Sequence, residues 1–250
     1  MRDPARAVIF GKRAETYDRA RPNYPPAAIA HIESLVEARR ALEVGAGTGK
    51  ATVDMARRGR RLICLEPSVE MAEILSQRTL PDVQVVVSTF EDWPGEEDSI
   101  DLVFAAQAWH WVDHDTAYDR ALLLLRRGGA LALMWNVPVD RYAMFNAVYE
   151  EHAPDLLVEH DERIAKRDSV TWLDEMGAAG FGALHHFRHE WSVTLSASEL
   201  RALYSTYSDH MALPDEQREP LLDGLAAEVD RHGGAVETKY RTNVFSGLAP

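Results

Sequence analysis

The stretch Ala41-Leu42-Glu43-Val44-Gly45-Ala46-Gly47-Thr48-Gly49-Lys50 decides the fold of this 250-residue chain. Its first four residues are typical of a buried strand, and three alternate glycines follow before a predicted helix over Ala51–Arg58. Glycine allows a tight turn and lets backbone approach a ligand without an intervening Cβ. Free N–H groups at the start of a helix favour polar or anionic ligand groups. The stretch therefore predicts a strand, a ligand-binding loop and a helix in direct succession.

Three ligand-binding loops have similar spacing, and two of them are excluded. An ATP- or GTP-binding loop needs Gly-x-x-x-x-Gly-Lys-Ser/Thr, but Val44 replaces its first glycine and Ala51 its hydroxyl residue. A dinucleotide loop needs Gly-x-Gly-x-x-Gly, and Lys50 replaces its third glycine. The pattern acid-x-Gly-x-Gly-x-Gly is complete, with Glu43 as its acid. A glycine-rich turn without a ligand is the structural alternative.

Glu66 favours the ligand-binding interpretation. It follows the apolar run Leu62–Leu65, so it is predicted to end the neighbouring strand. A carboxylate at that position can accept hydrogen bonds from both hydroxyls of a ribose. A solvated acid at a strand end is the alternative interpretation.

The first half of the chain alternates apolar runs with segments of helical periodicity. The runs are short and often β-branched, as in strands buried on both faces of a parallel sheet. They are Ala41–Val44, Leu62–Leu65, Val83–Val87, Ile100–Ala106 and Ala130–Trp135. Helices are predicted between them, including Ser68–Gln77 and one over 117–125 that would end at Gly128-Gly129. Repeated strand–helix–strand units predict an α/β fold with a doubly wound sheet.

The second half is more helical. It is predicted to contain a helix over Thr171–Ala179, a strand over Ala183–Thr194, a capping box at Ser196–Glu199, a helix within Pro214–His232 and a strand over Tyr240–Phe245. We predict one domain over 1–250, with a cofactor-binding core over 36–136. The helix-rich segments 137–170 and 196–235 are predicted to be lids over the substrate.

Composition limits the possible partners. The formal net charge is −13, which argues against nucleic acid or an anionic membrane as the main partner. The single cysteine, Cys64, excludes an intrachain disulfide framework. No apolar run reaches the roughly 18 residues of a membrane span. We expect a cytoplasmic protein that is a monomer or a homodimer.

The chain resembles the class I S-adenosylmethionine-dependent methyltransferases. The resemblance rests on Glu43–Gly49, Glu66, Ser88–Pro94, Ile100–Val103 and the segment from Leu124 to Asn136. It implies a Rossmann-like, seven-stranded, mostly parallel sheet with an antiparallel last strand, helices on both faces, helical lids and S-adenosyl-L-methionine as the cofactor.

The resemblance also implies roles for particular residues. Gly45, Gly47 and Gly49 would pass close to the methionine and ribose, Glu43 would brace the loop, and Glu66 would hold the ribose. Thr89 stands where the family usually has an aspartate facing the adenine, Phe90 would offer its backbone N–H, and Gln107 would lie beside the methyl group.

A narrower resemblance is to small-molecule methyltransferases of the trans-aconitate methyltransferase type. It rests on the segment from Phe10 to Pro25, on Gln107–Asp113, and on Thr206-x-Ser208 followed by Leu213-Pro214. In that subgroup the N-terminal segment folds over the cofactor, so the resemblance implies that segment 1–30 caps the cofactor. Tyr17 and Arg21 are therefore expected to bind the cofactor, Arg21 as a planar donor to its carboxylate.

Methyl transfer needs an aligned acceptor and the exclusion of water. A carboxylate acceptor needs no base, whereas a hydroxyl or amine generally does. We predict His110 as a base or positioning residue, with an equally weighted packing role as the alternative. The further predicted acceptor-binding residues are Trp109, Trp111, Asn136, Tyr142, Tyr204, Tyr207 and His210. One of the two tryptophans can line the acceptor pocket while the other packs in the core, and packing is an equally weighted alternative for the other five. We predict no metal ion. A non-catalytic S-adenosylmethionine-binding protein and an NAD-dependent oxidoreductase remain the alternative functions.

Overall fold

A seven-stranded sheet forms the centre of the protein. The computed structural model describes residues 13–56, 59–139, 143–157 and 170–250. The strand order is β3-β2-β1-β4-β5-β7-β6, with β1 Arg40–Val44, β2 Arg61–Leu65, β3 Val83–Val86, β4 Ile100–Ala106, β5 Leu125–Pro138, β6 Gly182–Ser196 and β7 Ala235–Leu248. The first five strands pair in parallel, and β7 runs antiparallel to both β5 and β6. The predicted mostly parallel sheet with an antiparallel last strand is confirmed.

The helices surround this sheet. They include α1 Ala14–Ala20, α2 Pro26–Leu35, α3 Thr52–Ala56, α4 Val69–Gln77, α5 His114–Leu124, α6 Asn146–His152, α7 Thr171–Ala179, α8 Ala197–Tyr204, α9 Ser208–Met211 and α10 Asp215–Arg231. Short 3-10 turns cover Trp109–Trp111 and Ala143–Phe145. The predicted capping box at the start of α8 is confirmed, because the Ser196 side chain accepts from the Glu199 N–H and the Glu199 carboxylate accepts from the Ser196 N–H.

Alternation along the strands buries both faces of the sheet. Leu42 and Val103 belong to the core that packs against α5 and α7. Their chain neighbours Ala41 and Leu102 belong to a second core that includes residues of α2 and α3. Because successive strand residues point to opposite faces, these unalternated apolar runs require a helical layer on each side.

A third apolar cluster joins the helices of the second half. It includes Phe145 and Val148 near α6, Leu200 and Leu203 of α8, and Leu225 of α10. Helix α1 contacts α8 of this group and also α4 beside the first half of the sheet. In the described part of the chain, no helix combines the length and the apolar character needed to cross a bilayer.

The expected helix end at Gly128-Gly129 is wrong. Helix α5 ends at Leu124, and both glycines lie inside β5. The Gly128 N–H donates to the Ala249 carbonyl at 3.1 Å. A Cβ on Gly129 would lie 2.8 Å from the Arg126 carbonyl oxygen. Gly129 therefore allows close backbone approach within the sheet, and neither glycine ends a helix.

Candidate active site

A cavity of about 650 Å³ opens at the carboxyl ends of β1, β2 and β4. This is the sheet edge at which open α/β folds bind ligands, and the volume lies within the roughly 300–1,000 Å³ of small-molecule sites. The glycine loop, Glu66 and Gln107 line one side. Tyr17 and Arg21 from α1, together with Tyr207 and Asp209 from the second half, line the other. The cavity is therefore bounded by both halves of the chain.

The glycine loop has a backbone shape that side chains do not adopt easily. Gly45 has a φ of +67°, and a Cβ there would lie 2.4 Å from the Ala108 Cβ. Gly47 has a φ of +58°, but the nearest atom to its added Cβ is the Met71 sulfur at 4.0 Å. No described protein atom therefore excludes a side chain at position 47. The glycine instead keeps the neighbouring part of the cavity free of a side chain. The buried Thr48 hydroxyl beside it has no hydrogen-bond partner among the described residues.

Glu66 ties the glycine loop to the end of β2. Its carboxylate accepts from the Gly47 N–H at 2.8 Å and from the Ser68 N–H at 2.9 Å. Burial raises the pKa of Glu66, and the two backbone donors act against that rise. The carboxyl group lines the cavity, so it is available to the hydroxyl groups of a ligand.

Glu43 is a buried acid below the loop. The Thr52 hydroxyl of α3 donates to its Oε2 at 2.6 Å, and the Cys64 thiol donates to the same oxygen at 3.6 Å. Burial raises the pKa of Glu43 to about 8. Glu43 therefore links β1 to the helix that follows the loop, and it holds a proton over much of the neutral range.

Thr89 and Phe90 line the cavity beyond β3. The Thr89 hydroxyl donates to the Asp92 carboxylate at 2.8 Å and accepts from the Asp92 N–H at 3.1 Å. Phe90 is buried, and Arg120 donates to its carbonyl oxygen at 2.7 Å. These contacts fix the turn that follows β3.

Arg21 connects the N-terminal helix α1 to the second half of the chain. Its Nε donates to the Thr206 hydroxyl at 2.9 Å, and its Nη2 donates to the Thr206 carbonyl at 2.8 Å. The guanidinium also lies over the rings of Tyr17 and Tyr207, at 5.2 and 4.5 Å from their centroids. The guanidinium edge formed by Nε and Nη2 therefore binds Thr206, and a ligand would bind at the remaining Nη1 side.

His110 lies in the turn after β4 and lines the cavity. The Trp135 indole N–H points at its Nδ1 at 3.4 Å. Because an indole nitrogen can only donate, this contact requires a lone pair on Nδ1 and places the ring proton on Nε2. The arrangement favours His110 as a hydrogen-bond donor through Nε2 over a role as a base.

Gln107 and Asn136 hold the ends of β4 and β5 together beside the cavity. The Gln107 side chain donates to the Asn136 carbonyl at 2.9 Å, and the Asn136 Oδ1 accepts from the Thr242 hydroxyl at 2.7 Å. Gln107 has a φ of +60°, a left-handed conformation that costs a non-glycine residue roughly 1–2 kcal/mol. This conformation turns the chain sharply where the strand meets the cavity.

Of the predicted site residues, Tyr17, Arg21, Glu43, Gly45, Gly47, Glu66, Thr89, Phe90, Gln107, His110, Trp111, Asn136 and Tyr207 line the cavity. Four do not. Gly49 faces Leu75, and Trp109 is fully buried beside Phe90 and Tyr118. Tyr204 and His210 lie in the cluster of the second half, where His210 contacts the Tyr149 hydroxyl at 2.9 Å. Tyr142 lies outside the described residues.

Several residues of the cavity wall were not predicted from the sequence. Among them are Tyr24, Lys50, Met71, Asp209 and Tyr240. Asp209 is buried, and its Oδ1 pairs with the ring Nδ1 of His210 at 2.8 Å. The polar triplet Ser208-Asp209-His210 was a usable signal for the site, although it does not indicate which member faces the cavity. No group of three potential metal-ligating side chains comes together in the ranges that the structure describes.

Comparisons with known proteins agree with this geometry. Residues 42–133 match the model of a methyltransferase domain. An uncharacterised methyltransferase of Mycobacterium tuberculosis is 33% identical over 226 residues, which cover 90% of this chain and 87% of that protein. An uncharacterised methyltransferase-like protein of Schizosaccharomyces pombe is 30% identical over 245 residues, covering 92% of this chain and 91% of that protein.

Solved structures share the fold. A protein of Anaeromyxobacter dehalogenans named as a type II methyltransferase has a TM-score of 0.64 at 20% identity, covering 92% of this chain and 98% of that chain. A phosphoethanolamine N-methyltransferase of Haemonchus contortus, solved with S-adenosylhomocysteine, has a TM-score of 0.58 at 13% identity, covering 96% of this chain and 57% of that one. The chain belongs to the class I S-adenosylmethionine-dependent methyltransferases, and S-adenosylmethionine is its cofactor.

Proposed function

We propose that this methyltransferase acts on a small molecule and methylates an oxygen of a hydroxyl or carboxylate group. The observation that carries the proposal is the continuity of the cavity. It runs from the glycine loop to Leu203, Tyr207 and Tyr240, so a cofactor and a small acceptor fit within one bounded space. The narrower likeness to trans-aconitate methyltransferase-type proteins, which rests on the segments around Tyr17 and Trp109, supports the same substrate class.

The residues present fit the cofactor. Gly47 carries no side chain beside the cavity, the Thr48 hydroxyl is buried without a protein partner in the described chain, and Glu66 presents a carboxyl group at the end of β2. We assign the methionine and ribose to the loop and Glu66, and the adenine to Thr89 and Phe90. Bound S-adenosylmethionine supplies a methyl group on a sulfonium, ready for displacement by a nucleophile.

The remaining residues orient the acceptor and exclude water. Trp111 and Tyr207 offer aromatic surfaces, and Asn136 and His110 offer polar groups at the ends of β5 and β4. Because alignment and exclusion of water supply most of the catalysis in such a displacement, the lids are part of the catalytic machinery. We assign this role to segments 1–30, 137–170 and 196–235, of which residues 1–12, 140–142 and 158–169 lie outside the described part of the chain. A monomer or homodimer in the cytoplasm, without a nucleic-acid or membrane partner, completes the proposal.

The test is a screen for transfer of labelled methyl groups. Purified protein and labelled S-adenosylmethionine would be incubated with matched sets of small carboxylic acids, phenols and amines, and products identified by mass spectrometry. We expect methylation of one set on oxygen. Tight S-adenosylhomocysteine binding without any methylated product would favour the non-catalytic binding protein, and methylation of proteins or RNA in its place would contradict a small-molecule acceptor. Family membership favours methyl transfer over the nicotinamide-dependent alternative.

A further inference from the structure

Arg78, the residue that follows α4, connects two elements of the site without lining the cavity. Its Nε donates to the carbonyl oxygen of Thr48 in the glycine loop at 2.8 Å. Its Nη2 donates to the Asp18 carboxylate of α1 at 2.6 Å. Both charged side chains are about 70% shielded from solvent, since each exposes 29% of its surface. The guanidinium therefore holds a loop and a helix that are 30 residues apart in sequence.

The third glycine of the motif makes room for this contact. Gly49 has a φ of +90°, and a Cβ there would lie 2.4 Å from the Leu75 Cδ1 and 3.4 Å from the Arg78 Nε. A side chain at this position would displace Leu75 and crowd the guanidinium that reaches the Thr48 carbonyl. Gly49 thus serves the packing of α4 and Arg78 against the back of the loop.

Helix α1 is joined to the rest of the site by polar contacts from both of its ends and its middle to the two halves of the chain. It carries Tyr17 and Arg21 to the cavity wall. At its end Arg21 binds Thr206 of the second half, and near its middle Asp18 binds Arg78 of the first half. The Asp18–Arg78 pair is the link between α1 and the element that also holds the glycine loop.

We propose that Arg78 is a positioning residue that sets the affinity for S-adenosylmethionine by fixing helix α1 and the glycine loop relative to each other. This inference rests on the cofactor half of the proposed function. An arginine suits the task because its planar guanidinium donates in two fixed directions, whereas a lysine ammonium is a compact point charge on a flexible stem.

The experiment measures S-adenosylhomocysteine binding by calorimetry in four variants. Arg78→Gln should raise the dissociation constant roughly tenfold, the size expected for loss of a charge-assisted hydrogen bond. Asp18→Asn, which leaves the Arg78–Thr48 contact in place, should raise it about threefold, and Arg78→Lys should fall between the two. Arg201→Gln is the matched control, because Arg201 makes a similar pair of ionic contacts, to Asp223 and Glu219, away from the cavity.

A second readout follows α1 directly and needs no ligand. Trypsin cuts after Arg19 of α1, and the rate of that cut, followed by mass spectrometry, should rise in Arg78→Gln and Asp18→Asn but not in Arg201→Gln. The double variant Asp18→Asn/Arg78→Gln should bind no more weakly than Arg78→Gln alone, since both changes break one link.

Several outcomes would overturn the inference. They are unchanged binding in Arg78→Gln, an equal loss in Arg201→Gln, or a loss in Arg78→Gln with no effect of Asp18→Asn on binding or cleavage. If Arg78→Gln does not fold, the S-adenosylhomocysteine affinity and the trypsin cleavage rate of Asp18→Asn test the inference instead. Wild-type protein that fails to bind S-adenosylhomocysteine would contradict the cofactor assignment itself, which is a separate result from wild-type binding with unaffected variants.

Discussion

The two sides of the cavity are built in different ways. The cofactor side consists of backbone and acids at the ends of adjacent strands, such as Gly45, Gly47 and Glu66, which a short stretch of sequence supplies. The side that we assign to the acceptor consists of side chains from separate elements, such as Asn136, Tyr207 and Tyr240. The first side is a local motif, and the second is formed by tertiary packing. Substitutions on the first side should change S-adenosylhomocysteine affinity, and substitutions on the second should change the kinetics with the acceptor.

The largest expected effect is on the cofactor side. Gly47→Val should reduce S-adenosylhomocysteine affinity more than hundredfold, because a β-branched side chain would project beside the cavity from a backbone with φ of +58°. Calorimetric titration with S-adenosylhomocysteine measures this loss of affinity. Gly128→Ala is the control for positive φ alone, since Gly128 has a φ of +74° and open space around its Cβ position. Wild-type affinity in Gly47→Val would remove the loop from the site.

Glu43 gives the cofactor side a pH-dependent stability. Its pKa is raised by burial to about 8, so the folded protein keeps a proton that the unfolded chain loses above about 4.5. The free energy of unfolding should therefore fall as pH rises from 5 to 8, by on the order of 3 kcal/mol. Glu43→Gln, which mimics the protonated acid, should flatten this slope in urea titrations. Parallel slopes in both proteins would contradict a buried protonated acid.

Glu66→Gln should weaken S-adenosylhomocysteine binding by about 2 kcal/mol, roughly 30-fold, the cost of replacing a charged hydrogen-bond acceptor. Calorimetry at one pH is sufficient. The loss should be smaller for an analogue that lacks the ribose hydroxyls, because Glu66 is assigned to those groups. An equal loss for both ligands would show that Glu66 acts only through its bonds to Gly47 and Ser68.

On the acceptor side, Asp209→Asn should leave S-adenosylhomocysteine affinity within twofold of wild type. It should raise the KM for a hydroxyl acceptor about tenfold, because the cavity wall loses a carboxylate that can accept a hydrogen bond from that hydroxyl, and it should lower the KM for a carboxylate acceptor, which the carboxylate repels. Steady-state kinetics with the acceptor found in the screen measures the change. A loss of cofactor affinity would break the division between the two sides.

His110→Gln should have the smallest effect, a loss of less than tenfold in kcat. Glutamine can still donate a hydrogen bond, which is the role that the Trp135 contact leaves to His110. The pH profile of kcat should keep its shape. A roughly 10²–10⁴-fold loss in kcat, together with loss of the pH dependence of kcat near neutral pH, would show that His110 acts as a general base.

The same division decides what the sequence could predict. The strands and the loop that follows β1 could be predicted because both depend on neighbours along the chain, whereas the binding roles of the loop residues stay predictions. Gly49 and Gly47 look alike in sequence, yet one faces Leu75 and the other the cavity. Likewise Asp209 and His210 are adjacent, and only the packing of α9 decides that the acid and not the ring faces the cavity. Trp109 was misplaced because a 3-10 turn rotates it into the core.

The position of β7 affects the order in which the protein can be completed. Strand β7 is the last strand in the chain, yet it lies between β5 and β6 in the sheet. On the ribosome, β6 has no strand partner until β7 has emerged, and the edge of β5 stays open. Tyr240 of β7 also completes the cavity wall. The nascent protein can therefore form its glycine loop early, but the cavity wall that Tyr240 supplies forms only after β7 has been synthesised.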